Sequence, residues 1–415
     1  MTAAAIESTW QKSPPLETVQ RALRETTETL AYELADSGRQ APQWNDFQWL
    51  VARAAATIHG VSPLLSRSLL WQGPGGWGKF LEAQRAQTRT RYLRLQELLE
   101  LLDTEARGAT VPLIALKGAA LHALGIYSPG ERPMADLDLL ARPADAQQAH
   151  QMLYRLGFQM TYATSRHQTF EPLNAQVAAP FGESSGNALK IELHTHIGES
   201  LPLHSVDIST LILPARPHDG VNAYPSSAAL MAHLLLHAAG AMAQRAVRLI
   251  HLHDIAKLSG RLGSRDWDEL LSAGSERNET LWWAFPPLAL AARYYKSVPH
   301  EVLAATAARC QWLLRRTARR ETLADVSLSN VWVTAFPGIK WARSVQEALR
   351  YAATRIAPSD ETRGQRRQMV RSQPAMAGSA WESMSQARRI PRWLISRPGR
   401  PETLLPVRRA LDEQP

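Results

Sequence analysis

At 415 residues, 45% of them hydrophobic, the chain is long enough for two or three folded units with a sizeable core. One cysteine, Cys310, excludes an internal disulfide and fits a reducing compartment. The net charge of +9 is concentrated at one end: residues 341–415 hold 14 Arg and no Lys against 7 Asp plus Glu, so the nearly neutral remainder is not expected to bind nucleic acid through bulk charge. No secretory pattern opens the chain, and no run of about 18 apolar residues could span a bilayer. A cytoplasmic protein without a transmembrane segment is therefore expected.

Residues 1–15, with Pro14 and Pro15, read as a loose start. Apolar spacing predicts helices from Leu16 to about Leu34 and from Asp46 to Ala56, and a third beginning near Pro63. Four glycines and a proline mark WQGPGGWGK (71–79) as a loop. A long helix is predicted next, from about Phe80 to Thr104, with Leu93, Leu95, Leu98, Leu99 and Leu102 as its apolar stripe.

Pro112 to Leu116 is short and apolar, as a buried strand should be. Lys117 and Gly118 turn the chain into a helix, AALHAL, and the loop YSPGERP leads to a strand over Met134 to Ala141. On that strand Asp136 and Asp138 alternate with Leu137 and Leu139, so both carboxylates leave one face while the leucines enter the core. Two acids so placed after a glycine turn suit a divalent cation and a nucleoside triphosphate. Pro143 then opens a helix that Gly157 closes, and strands are predicted over Phe158–Tyr162, His167–Leu173 and Ala188–His194. From Ser226 onward the pattern is helical, with further helices over 279–296, 300–320 and 340–355. Cys310 falls inside one of them, and the Trp-rich stretch from Trp282 to Trp341 reads as helix core.

The fold class is accordingly α+β. A small mixed sheet forms a core at 109–215, flanked by an N-terminal helical region (1–108) and a C-terminal helical domain (216–357). Residues 358–415 read as an Arg-rich linker and tail, by default a solvated surface or folded-back extension, which could also grip an acidic partner.

LKGAAL, Tyr127, RPMADLDLL and the later IELH resemble the poorly characterised bacterial nucleotidyltransferases of the polymerase-beta-like superfamily, over roughly Phe47 to Trp267. The resemblance implies that Asp136 and Asp138 are the paired acids and Glu192 the third, together catalytic and binding two Mg2+ ions. An NTP would donate its NMP group, with loss of pyrophosphate, to an unidentified acceptor, a small molecule or a protein. Physical chemistry agrees: two ions about 4 Å apart need a bridging carboxylate and further acids. Lys117 offers a compact cation to phosphate, Gly118 lets backbone approach it, and Arg132 contacts the triphosphate or orders the loop. Two differences stand out: the turn reads Lys117, Gly118, Ala119 where the superfamily usually has Gly followed by Gly or Ser, and the third acid, often Asp, is Glu192.

Two other readings compete. One is a non-catalytic module that binds nucleotide and a partner. The other is a His-Asp metal phosphohydrolase built on His253 and Asp254, with His233 and His237 one helical turn apart, although HLLLH lacks the general-base Glu of HExxH. His194 and His196, on the Glu192 face, read as structural histidines.

Overall fold

The computed structural model describes residues 14–164, 167–174, 181–273, 281–328, 335–360, 363–364, 385–394, 407 and 410. Among the described residues the leading helices are α1 (Leu16–Ala35), α2 (Asp46–Ile58), α3 (Ser62–Ser68) and α4 (Gly75–Gly108). α2 begins on a reciprocal cap in which Asn45 accepts from the Gln48 N–H and Gln48 accepts from the Asn45 N–H. The loop expected at 71–79 is in large part helix, because α4 already starts at Gly75. Buried Trp77 packs there against Trp49, Trp71 and Phe80, and this burial outweighs the poor helix propensity of the glycines.

The central segment holds β1 (Pro112–Ala115), α5 (Lys117–Ala123), β2 (Asp136–Ala141), α6 (Ala146–Arg155), β3 (Phe158–Ala163), β4 (His167–Pro172), β5 (Lys190–His194), β6 (Gly198–Ser200), β7 (Ser205–Asp207), α7 (Ser209–Ile212) and β8 (Gly220–Asn222). Six strands make one mixed sheet ordered β3-β4-β5-β2-β1-β8, and β6 pairs with β7 separately. β2 runs parallel to β5 and antiparallel to β1. The last three strands were not expected from the sequence, since each is only three residues long and carries little periodicity.

Helices α8 (Ser227–Ala243), α9 (Leu249–Ser259), α10 (Ser264–Ala273), α11 (Phe285–Tyr294), α12 (His300–Arg309), α13 (Trp312–Ala318), α14 (Leu323–Val326), α15 (Val345–Ile356) and α16 (Gln386–Leu394) follow. The helix expected over 300–320 is two, broken where Cys310 is extended (ψ 137°), so Cys310 ends α12 and α13 turns to bury Leu314. The helix expected at 279–296 is α11, with Pro286 and Pro287 in its first turn; residues 274–280 lie outside the described residues, as do 1–13 and most of 358–415. Val407 and Ala410 are buried against the core. Among the described residues no helix is long and apolar enough to cross a membrane.

Strand alternation assigns the two faces of the sheet. Leu137, Leu139 and Ala141 of β2, with Ile191 and Leu193 of β5, enter a core that includes Leu95, Leu98 and Leu102 of α4 and Met152 and Leu153 of α6. The opposite face carries Asp136, Asp138 and Leu140 from β2 and Lys190, Glu192 and His194 from β5. Leu140, Ile114 and Leu116 join a larger core on that side, shared by helices from both ends of the chain. α1 is tied to the C-terminal helices through Glu28, which accepts from Tyr294 Oη (2.7 Å) and the Ala324 N–H (2.8 Å), and through the Arg24–Asp325 pair (2.8 Å).

Two buried histidines make this packing sensitive to acid. His59 is 1% exposed and accepts from the Leu249 N–H at Nδ1 (3.2 Å), joining α2 to α9. Burial, aided by Arg248, lowers its pKa to about 3, and burial likewise takes His253 to about 3. Both lie below the unfolded value of about 6.5. Their stabilisation is therefore complete above pH 6.5 and is lost as pH falls toward 3, by about 1.4 kcal/mol per pH unit per histidine. Thermal unfolding should show Tm falling as pH drops from about 6 to 4; a Tm independent of pH across that window contradicts the assignment.

Candidate active site

The site grows from one pairing. Asp138 sits directly opposite Glu192 in the parallel β2–β5 ladder, and Leu140 opposite His194, so two carboxylates and an imidazole crowd one face. Asp138 Oδ1 accepts from Lys117 Nζ at 3.0 Å and lies 2.9 Å from His194 Nε2. Glu192 Oε2 is 3.9 Å from the same imidazole nitrogen, and Glu192 Oε1 is 3.7 Å from His167 Nε2 on β4. Asp138, Glu192 and His194 each offer one donor atom within 4.8 Å of the others. Asp136 shares the face one ladder step away, opposite Lys190, and stands outside that group of three.

The charges are strongly interdependent. Burial alone would raise the Asp138 carboxyl, but Lys117 and the His194 hydrogen bond outweigh it and hold the group well below the usual carboxylate range. Burial and the neighbouring Asp136 and Asp138 push Glu192 up to about 8. Asp136 is also raised, by burial and then by Asp138, against the pull of Lys117 and Arg248. Three acids crowded out of water cannot all ionise cheaply without more positive charge than Lys117 supplies.

Two arginines, Arg91 buried and Arg132 largely so, fix the geometry. Arg91, from the middle of α4, donates to the carbonyls of Met134, Ala135, Asn187 and Ala188 at 2.5–3.2 Å, just ahead of β2 and β5. It therefore holds the starts of the two strands together and sets the register that pairs Asp138 with Glu192. Arg132 lies in the loop before β2 and binds Asp254 of α9 with both ends of its fork, at 2.9 and 2.7 Å. Tyr127 Oη donates to the same Asp254 at 2.8 Å. Arg132 thereby ties the loop before β2 to α9. Gly118 serves that packing too: a Cβ there would come within 2.3 Å of Arg132 Nη1 and 2.9 Å of Met134.

Lys117 starts α5 in the left-handed region (φ 43°), a costly conformation for a side-chain-bearing residue. Its N–H donates to Tyr224 Oη (3.2 Å), which in turn meets His233 Nδ1 (2.7 Å).

Residues 45–295 match the model of a family described as uncharacterised nucleotidyltransferase. The chain belongs to this family. No curated protein and no solved structure matches it.

The matched region of this nucleotidyltransferase takes in α2, the whole sheet and the helices up to α11, so the helical cover of the site belongs to the family unit along with the sheet. The residues of the His-Asp reading are engaged elsewhere. Both Asp254 oxygens are held by Arg132 and Tyr127, His253 Nδ1 meets Tyr295 Oη (3.2 Å), and His237 lies 3.9 Å from Glu199. His194 and Arg91 carry more of the site than the sequence reading assigned them. Arg91 left one signal: it falls in the buried stripe Thr88, Arg91, Leu95, Leu98, Leu102, a charge at an apolar position. Arg248 is a further cation, held beside Gly60, and its buried Nε has no hydrogen-bond partner among the described residues.

Replacing Asp254 with Ala leaves the Arg132 guanidinium buried without its counter-charge, since the two side chains are 11% and 2% exposed. Denaturant unfolding should show a loss of about 3–5 kcal/mol. A loss below about 1 kcal/mol, the range of exposed pairs, contradicts the structural role.

Proposed function

We propose that this nucleotidyltransferase moves an NMP group from an NTP to an acceptor, using a divalent cation held on the β2–β5 face. The observation that carries the reading is the convergence of Asp138, Glu192 and His194 beside Lys117 on one strand pair. Asp138 and Glu192, with Asp136 on the same face, would hold the cation, Mg2+ by the superfamily resemblance. A bound ion of this kind polarises the phosphoryl oxygens and stabilises the departing pyrophosphate.

The residues of the chain divide the remaining work. The acceptor oxygen, with any proton it carries released to solvent, bonds to the α-phosphorus as the bond from that phosphorus to the β-phosphate oxygen breaks and pyrophosphate leaves. Lys117 Nζ, now on Asp138, is placed to exchange that carboxylate for a phosphate oxygen once a cation supplies the positive charge. Arg248 contributes a second positive charge near Asp136. Arg132 and Gly118 act indirectly, by fixing the loop that delivers β2. Tyr224 and His233 support the turn at Lys117.

Labelled ATP, GTP, CTP and UTP, supplied with a divalent cation and cell extract, test the proposal. Wild-type protein should transfer label to an acceptor, and the Asp136→Ala Asp138→Ala variant should not. Equal transfer by both contradicts it.

A further inference from the structure

We infer that His194 is a nitrogen ligand of the catalytic cation, so that the site prefers a first-row transition ion over Mg2+. The inference rests on the nucleotidyltransferase reading and specifies the metal chemistry of that same site.

The donor set is mixed. The parallel register places His194 one same-face position beyond the Asp138–Glu192 pair. Its Nε2 lies 2.9 Å from Asp138 Oδ1 and 3.9 Å from Glu192 Oε2, and the three donor atoms fall within 4.8 Å of one another. A metal with bonds of about 2.0–2.2 Å to nitrogen and oxygen spans donors separated by up to about 4 Å, so small side-chain adjustments close the set around one ion. The Lys117 ammonium, 3.0 Å from the same Asp138 oxygen, already places one positive charge against these donors.

The imidazole is also held in place. Its side chain is 11% exposed, and its ring lies 5.3 Å from that of His167, which itself approaches Glu192. To bind metal, Nε2 presents its lone pair and the proton resides on Nδ1.

Ligand type then decides selectivity. Mg2+ is a hard ion that keeps oxygen ligands and water and dehydrates reluctantly. An imidazole nitrogen favours later first-row ions, whose affinity rises along the series from Mn2+. A triad of three carboxylates would lack that bias.

Two measurements on the full chain, with a non-hydrolysable nucleoside triphosphate present, test this. Pulsed EPR of bound Mn2+ should show nitrogen coupling in wild type and in His167→Ala, and none in His194→Ala. Calorimetry should show Co2+ binding more tightly than Mg2+, with the Co2+ to Mg2+ affinity ratio falling about tenfold or more in His194→Ala. His194→Gln provides the same comparison if the alanine variant does not fold. Absence of nitrogen coupling in wild type, or its persistence in the variant, overturns the inference. Mg2+-supported nucleotidyl transfer without nitrogen coupling overturns the inference alone. Absence of any divalent-ion binding overturns both it and the reading beneath it.

Discussion

Asp138 is the constraint around which the rest of this molecule is arranged. Its carboxylate is 8% exposed and keeps its charge only because Lys117 and His194 converge on one oxygen. A buried carboxylate without such partners would become protonated or destabilise the fold. The two partners reach Asp138 on β2 from two other places in the chain, the turn after β1 and β5. Each must be held to within hydrogen-bond tolerance. The left-handed Lys117 is one cost of this, and the raised Glu192 is another. Both are expected where a fold keeps like charges together for a cation.

The precision comes from outside the sheet. Arg91 reaches from α4 to four carbonyls ahead of β2 and β5, so a helix in the first hundred residues sets a strand register in the middle of the chain. Arg132 performs the corresponding task on the other side, fixing the loop before β2 to Asp254 of α9. The N- and C-terminal helices share one core and each reaches into the site. The family match, residues 45–295, takes in helices on both sides of the sheet.

What the sequence made legible follows from periodicity. Leu137 and Leu139 alternate with Asp136 and Asp138, and that spacing alone puts the acids on one face. Likewise, Lys190, Glu192 and His194 share a face because Ile191 and Leu193 are apolar. The parallel register between these strands was not legible, because it depends on Arg91, a residue that looks like any surface arginine of a long helix. For the same reason the approach of His194 to Asp138 and Glu192 leaves no signal in the sequence. Gly75 and Cys310 show the same limit in the helices. Tertiary packing by Trp77 extended one helix through glycines, and burial of Leu314 accompanies the break in another. The pairing of Arg132 with Asp254, more than a hundred residues later, leaves no periodic signal in the sequence.

The most direct test of the account is a crystal structure of the protein with a divalent cation and a non-hydrolysable nucleoside triphosphate. The cation should be bonded to Asp138, with the triphosphate against Lys117 and the β2–β5 register unchanged. A cation or triphosphate bound away from Asp138, with Lys117 still on that carboxylate, would contradict it.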